Sequence, residues 1–179
     1  MLFARNNKLI LDGLAFSAPN NTFLMGDETG EKKVVFTGAD IEEKKNKVLI
    51  ISLSRSTGYK AWNEYVDSFR EDNNPAGSII GDVYDVCLNG IKGKAFYSRW
   101  ECDDSLLQEP ATAKILDGVN VMLGYDVFLP SGDGKTFFLL YLRWAVTSRE
   151  GKSDLEIIDS LLKEPEIAGM LYSLEFAEI

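Results

Sequence analysis

The sequence predicts an α+β fold: an antiparallel β-sheet of about six to eight strands flanked by two main helices. Three observations carry that expectation. Residues 119–129 and 137–146 alternate faces with period two. Two shorter segments repeat every three to four residues instead, which is helical spacing. Asn89-Gly90 and the 130–135 stretch put turn chemistry between consecutive alternating runs, so those runs pair as hairpins.

Residues 8–16 read as one strand that ends before Pro19. Residues 23–25 and 34–36 are short strands on either side of a charged loop. The 48–53 run is apolar on both faces at its centre, as in a strand covered from both sides. Trp62, Tyr65, Val66 and Phe69 then fall at i, i+3, i+4 and i+7, with Lys60, Glu64, Asp67 and Arg70 on the remaining face. That is an amphipathic helix, with capping candidates Ser56 and Thr57 before it and Asn73-Asn74-Pro75 after it. Aromatics at helical spacing place Trp62 and Phe69 in the core.

Alternation returns from Ser78, turns at Asn89-Gly90 and runs back to Trp100, giving one hairpin. Residues 102–120 carry the weakest pattern. Pro110 forbids a smooth helix through them, and 111–116 has the composition of a short one. In the second hairpin Phe138, Leu140, Leu142, Trp144 and Val146 form an unbroken apolar face. Burying five such side chains contributes on the order of 10 kcal/mol before entropy is subtracted. This hairpin is expected at the centre of the sheet. Ser153-Asp154-Leu155-Glu156 is a capping box that starts a helix with Leu155, Ile158, Leu161 and Leu162 as its buried stripe. Pro165 interrupts that helix and opens a further turn through Ala168, and residues 172–176 read as a closing strand.

Composition bounds the function. At 179 residues the chain is expected to form one domain spanning 1–179, hiding roughly 70% of its extended surface. Nineteen lysines and arginines against 28 acids leave 19 − 28 = −9. Such a charge is repelled by phosphate backbones and anionic lipid heads, so no nucleic acid is expected as a partner. There is no histidine, which removes imidazole-based triads, Cys-His pairs and the commonest nitrogen ligand of zinc. Cys87 and Cys102 are the two thiols, expected reduced and half-buried. The N-terminus shows no signal-peptide pattern and no run is long enough to cross a membrane, so a cytoplasmic protein without membrane insertion is expected.

Motifs for chemistry are sparse. Gly132-Asp133-Gly134-Lys135-Thr136 ends like a phosphate loop, but position 129 is Leu where the motif needs Gly, and the segment joins two strands. A hairpin turn is the expected reading. Trp100, Glu101, Asp103 and Asp104 are the binding candidates: three carboxylates beside an aromatic ring, a set of oxygen donors for a hard cation or a solvated strand end. No loop glycine or distal glutamate completes a calcium loop, so no metal is expected. No catalytic residue and no cofactor is predicted either, because no G-x-S-x-G elbow occurs.

Asn89-Gly90-Ile91-Lys92-Gly93-Lys94-Ala95 between two strands, and Leu161-Leu162 leading to Leu171-Tyr172-Ser173-Leu174-Glu175-Phe176 at the end, resemble the PsbP-like superfamily. Its members include extrinsic proteins of photosystem II, a Ran-binding nuclear import factor and bacterial domains that chaperone secreted effectors. The chain departs from that pattern in the long 102–120 connection and at Pro165. The resemblance implies an α/β/α sandwich used as a non-catalytic binding scaffold, and no site residue is carried over from it. The expected function is therefore a non-enzymatic protein-binding or chaperone-like domain, monomeric or homodimeric, whose acidity favours a basic protein partner. Two alternatives stand beside it. One is a module for an apolar or lipid-like ligand with Trp62, Trp100 and Trp144 as walls. The other is a histidine-free enzyme acting through carboxylates.

Overall fold

Hairpin pairing dictates the architecture. A computed structural model describes residues 2–5, 8–11, 13–17, 23–25, 33–38, 49–55, 61–70, 77–101, 121–131, 137–146 and 150–177. In chain order the described elements are β1 (Leu2–Arg5), β2 (Lys8–Leu11), β3 (Leu14–Phe16), β4 (Phe23–Met25), β5 (Lys33–Gly38), β6 (Leu49–Arg55) and α1 (Trp62–Arg70). They continue as β7 (Gly77–Leu88), β8 (Ile91–Glu101), β9 (Val121–Pro130), β10 (Phe137–Val146), α2 (Asp154–Leu162), α3 (Pro165–Tyr172) and β11 (Glu175–Phe176). Seven strands form the main sheet in the order β4-β5-β6-β10-β9-β8-β7. Its described pairs are antiparallel, and the fold is α+β as the sequence predicts. The β9–β10 hairpin lies at its middle.

Period two explains the layers. Leu123, Tyr125, Val127 and Leu129 of β9 and Phe138, Leu140, Leu142 and Trp144 of β10 share one face. That face packs on Ile157, Ile158 and Leu161 of α2 and on Ile167, Met170 and Leu171 of α3. The opposite face carries Phe96, Phe128, Phe137 and Leu139, and receives Tyr65 and Val66 of α1. Helices therefore lie on both sides of the sheet.

A second sheet of four strands, in the order β1-β2-β3-β11, was not anticipated. The stretch 8–16 is not one strand but two, β2 and β3, paired antiparallel as Leu9↔Phe16 and Leu11↔Leu14. Gly13 at φ 90° takes the left-handed conformation that lets the chain reverse. The tail is tied to this hairpin: Ala177 N–H donates to the Gly13 carbonyl at 2.7 Å, and Lys8 pairs with Glu175 at 2.8 Å. Leu14 and Phe16 join the same core as α2 and α3. The closing strand is only Glu175–Phe176, because Tyr172 ends α3.

Local signals read well at most ends. Asn89 (φ 48°) and Gly90 (φ 82°) make the left-handed pair of a tight hairpin turn. The Asn89 side-chain amide also donates to the Leu174 carbonyl at 2.9 Å, so the turn clamps the chain after α3. Ser153 and Glu156 form both halves of the capping box. Pro165 opens α3, where its missing N–H costs nothing. Two stripes rotate relative to expectation: Ile157, not Leu155, completes the buried face of α2, and Trp62 stands exposed at the start of α1. Ser56, Thr57, Asn73 to Pro75, Cys102 and the 102–120 connection lie outside the described residues. Cys87 is exposed and forms no disulfide.

Candidate functional site

Two clusters of polar side chains stand out, one on each face of the main sheet. Beneath α1, Asp126 of β9 is fully buried and faces Arg143 of β10. The pair is bidentate: Arg143 Nη2 donates to Oδ1 at 2.7 Å and Nη1 to Oδ2 at 3.0 Å. Tyr65 of α1 adds a hydroxyl bond to Oδ1 at 3.0 Å, and Ser98 of β8 adds one to Oδ2 at 2.8 Å. Gly124 makes room, since a Cβ there would meet the Ser98 hydroxyl and the Arg143 guanidinium. Arg143 also lies under the rings of Tyr141 and Trp100, with centroids 4.5 and 5.4 Å away.

Four donors occupy the Asp126 carboxylate, leaving it little capacity to accept a proton from a substrate. Burial, then the nearby Asp126 charge, push the Tyr65 hydroxyl well above its ordinary range, so it stays protonated. Asp126 and the bond between them raise the Arg143 pKa against its burial. The cluster is a satisfied ion pair that seats α1 on the sheet.

On the other face, the sheet edge carries a group of tyrosines. Tyr84 of β7 and Tyr97 of β8 meet edge to face at 5.7 Å, and Tyr97 and Tyr125 of β9 lie 5.7 Å apart. Tyr84 and Tyr125 thus both lie against the Tyr97 ring. The Tyr97 hydroxyl donates to Asp159 of α2 at 3.2 Å. Burial is the main cause that raises Tyr84, Tyr97 and Tyr125, the last to about 12. The edge strand is shaped here by a bulge. Ile80 faces Tyr97 and Tyr84 faces Ala95, so residues 81–83 oppose Phe96 alone, with Gly81 at φ 75°.

The sequence candidates fall in different places. Trp100 points to the α1 side and packs over Arg143. Glu101, the next residue, is exposed and bonds Arg99 at 2.6 Å, while Arg99 also reaches Asp154 of α2 at 3.4 Å. Consecutive strand residues face opposite ways, so the two do not converge. Asp103 and Asp104 lie outside the described residues. Among the described residues no three acids or cysteines gather as a metal site. The three tryptophans do not share a wall: Trp144 is buried against α2 and α3, Trp100 faces α1, and Trp62 is 39% exposed with Lys94 over its ring. No helix among the described residues is long and apolar enough to cross a membrane.

Neither cluster was singled out by sequence reasoning. A signal for the first existed: Asp126 and Arg143 are lone opposite charges in the two arms of an otherwise apolar hairpin. For the second, Tyr84, Tyr97 and Tyr125 are spread over three strands and only register unites them.

No protein-family model matches the chain, and no curated protein matches it. The kinship to the PsbP-like superfamily therefore remains a resemblance. Among solved structures, the chain is similar to the Saccharomyces cerevisiae Ran-binding protein Mog1p, with 9% identity, TM-score 0.49, and coverage of 93% of this chain and 91% of that one. It is also similar to LpqN, involved in cell envelope biogenesis of Mycobacterium tuberculosis, with 11% identity, TM-score 0.43, and coverage of 92% and 83%. Likenesses at these values say nothing of what this chain binds.

Proposed function

We propose that the chain is a single-domain, non-enzymatic protein-binding scaffold whose C-terminal layer meets a basic partner. One observation carries the proposal: three of the four large hydrophobic side chains exposed among the described residues belong to that layer. They are Leu155 of α2 (44% exposed), Tyr172 of α3 (68%) and Phe176 of β11 (48%). Helices on a sheet ordinarily turn such side chains inward, and large apolar side chains left exposed are a feature of contact surfaces. Acids outnumber bases along the same stretch: Asp154, Glu156, Asp159, Glu164 and Glu166 lie on or beside α2 and α3, against Lys152 and Lys163. With a formal charge of −9, such a layer steers basic surfaces toward it.

The test is affinity capture from the native cell at low and at moderate salt, with a Leu155→Glu/Phe176→Glu chain as control. A specific basic protein is expected with the native chain, reduced by salt and lost with the doubly substituted one. Recovery of the same proteins by both chains, or of none by either, would remove the proposal's support.

A further inference from the structure

β7 is an edge of the main sheet: among the described residues it pairs with β8 on one side and with nothing on the other. No residue from Gly77 to Cys87 is buried, whereas Val121 to Leu129 of β9 all are. The edge is also long, 12 residues against the 3 of β4 at the opposite side of the sheet. Proteins ordinarily guard such an edge with lysine, proline or a bulge. β7 has no lysine and no proline, and its bulge at 81–83 leaves Tyr84 to Leu88 in regular register with Ala95 to Ile91.

The turn fixes which backbone groups of that run are open. In a two-residue hairpin the closing pair, here Leu88 and Ile91, exchanges hydrogen bonds, and the pattern alternates from there. Val86 and Tyr84 therefore bond β8, while the N–H and C=O of Asp85 and Cys87 point away from the sheet. Asp85 and Cys87 are exposed on the α1 face, where Asp85 bonds Lys94 at 2.6 Å and still keeps its side chain 85% exposed. Tyr84 and Val86 are half-buried on the other face, against the core of α2 and α3. The Asn89 amide ties the end of the run to the Leu174 carbonyl, so the edge is held in place before anything binds.

We propose that the open backbone groups of Asp85 and Cys87 receive an extended segment of a partner protein, laid down as a further strand with apolar and basic residues in alternation. Period two sets that chemistry. Apolar side chains of the segment extend the half-buried surface of Tyr84 and Val86, and a lysine or arginine on the other face stands opposite Asp85. Lys92 and Lys94 do not take that place, since both belong to β8, one strand further in, and Lys94 holds Asp85 from that side. A second copy of this chain fits worse. β7 carries Asp82 and Asp85 and no base, and antiparallel pairing through both open residues sets Asp85 opposite or diagonal to its counterpart, where like charges repel. The inference goes beyond the scaffold reading: it concerns a strand edge and not the C-terminal layer, and either can fail alone.

The probe is a short peptide alternating valine and lysine. Its controls are a valine–glutamate peptide and the valine–lysine peptide N-methylated at its lysines, which cannot complete the ladder. Calorimetry and amide hydrogen exchange follow binding. At saturation with the valine–lysine peptide, exchange at residues 85 and 87 should slow by roughly tenfold or more. Asp85→Asn should weaken binding roughly threefold, the size of an exposed ion pair. Cys87→Pro should weaken it by roughly tenfold or more, because proline removes the open N–H and leaves the bonds to β8 in place. Equal binding of either control peptide, native affinity in Cys87→Pro, or unchanged exchange at residues 85 and 87 would each overturn the proposal. So would dimerisation of the chain alone with those two amides protected, since the occupant would then be a second copy. The exchange pattern of the native chain decides even where Cys87→Pro disturbs the fold.

Discussion

Asp126 receives donors from three elements: α1 through Tyr65, β8 through Ser98 and β10 through Arg143. A buried pair of this kind contributes little net stability against an apolar replacement, but removing one partner strands the other. Asp126→Asn should therefore cost about 3–5 kcal/mol, because Arg143 would stay charged in the core. A joint Asp126→Leu/Arg143→Met change should recover a large part of that loss, and urea unfolding of the single and paired variants measures both. Alternation assigned Asp126 and Phe128 to one face and Tyr125 and Val127 to the other, and the structure agrees. What alternation could not supply is the hydroxyl of Tyr65, which comes from a helix 61 residues away in sequence.

Elements were legible where a local bond defines them. The Ser153 cap needs only four residues in sequence, and Glu156 pays it back: its carboxylate is held below its ordinary range by the Ser153 bonds. Ser153→Ala should destabilise the protein by about 1 kcal/mol, seen as a lowered thermal midpoint with an unchanged fold. The Asn89-Gly90 hairpin was equally legible, since few residue pairs accept two successive positive φ values. Asp12-Gly13 carried a similar signal inside the 8–16 run, yet the apolar residues around it read as one continuous strand. The expected buried stripe of α2 differs from the observed one at Leu155, whose place Ile157 takes, because both residues are apolar. Which of them turns inward depends on where the sheet lies, and Leu155 stays exposed.

At the scale of the molecule, tyrosines on both faces of the main sheet are protonated in the fold and raised above their ordinary value of 10.0. For Tyr125 the folded value is about 12. Above pH of about 10 the unfolded chain releases that proton while the folded chain keeps it, so stability falls as pH rises. Below that pH both states hold the proton and the contribution is flat. The slope for Tyr125 should be about 1.4 kcal/mol per pH unit between about pH 10 and 12. Urea midpoints at pH of about 9 and about 11 should therefore diverge, and Tyr125→Phe should reduce the difference. A midpoint unchanged over that range would show that the tyrosines are not held protonated by the fold.

The amino-acid order alone determined the α+β class, the two long hairpins, the capped helix and the −9 charge. Each of these rests on short-range physics: period, turn conformation, capping bonds and counted charge. Tertiary structure decided the second sheet, in which the tail pairs with a hairpin near the start of the chain, and it decided both polar clusters. Those depend on strand register and on which helix face meets which strand. Their members lie far apart along the chain, and only packing of the two helical layers on one sheet brings them within bonding distance.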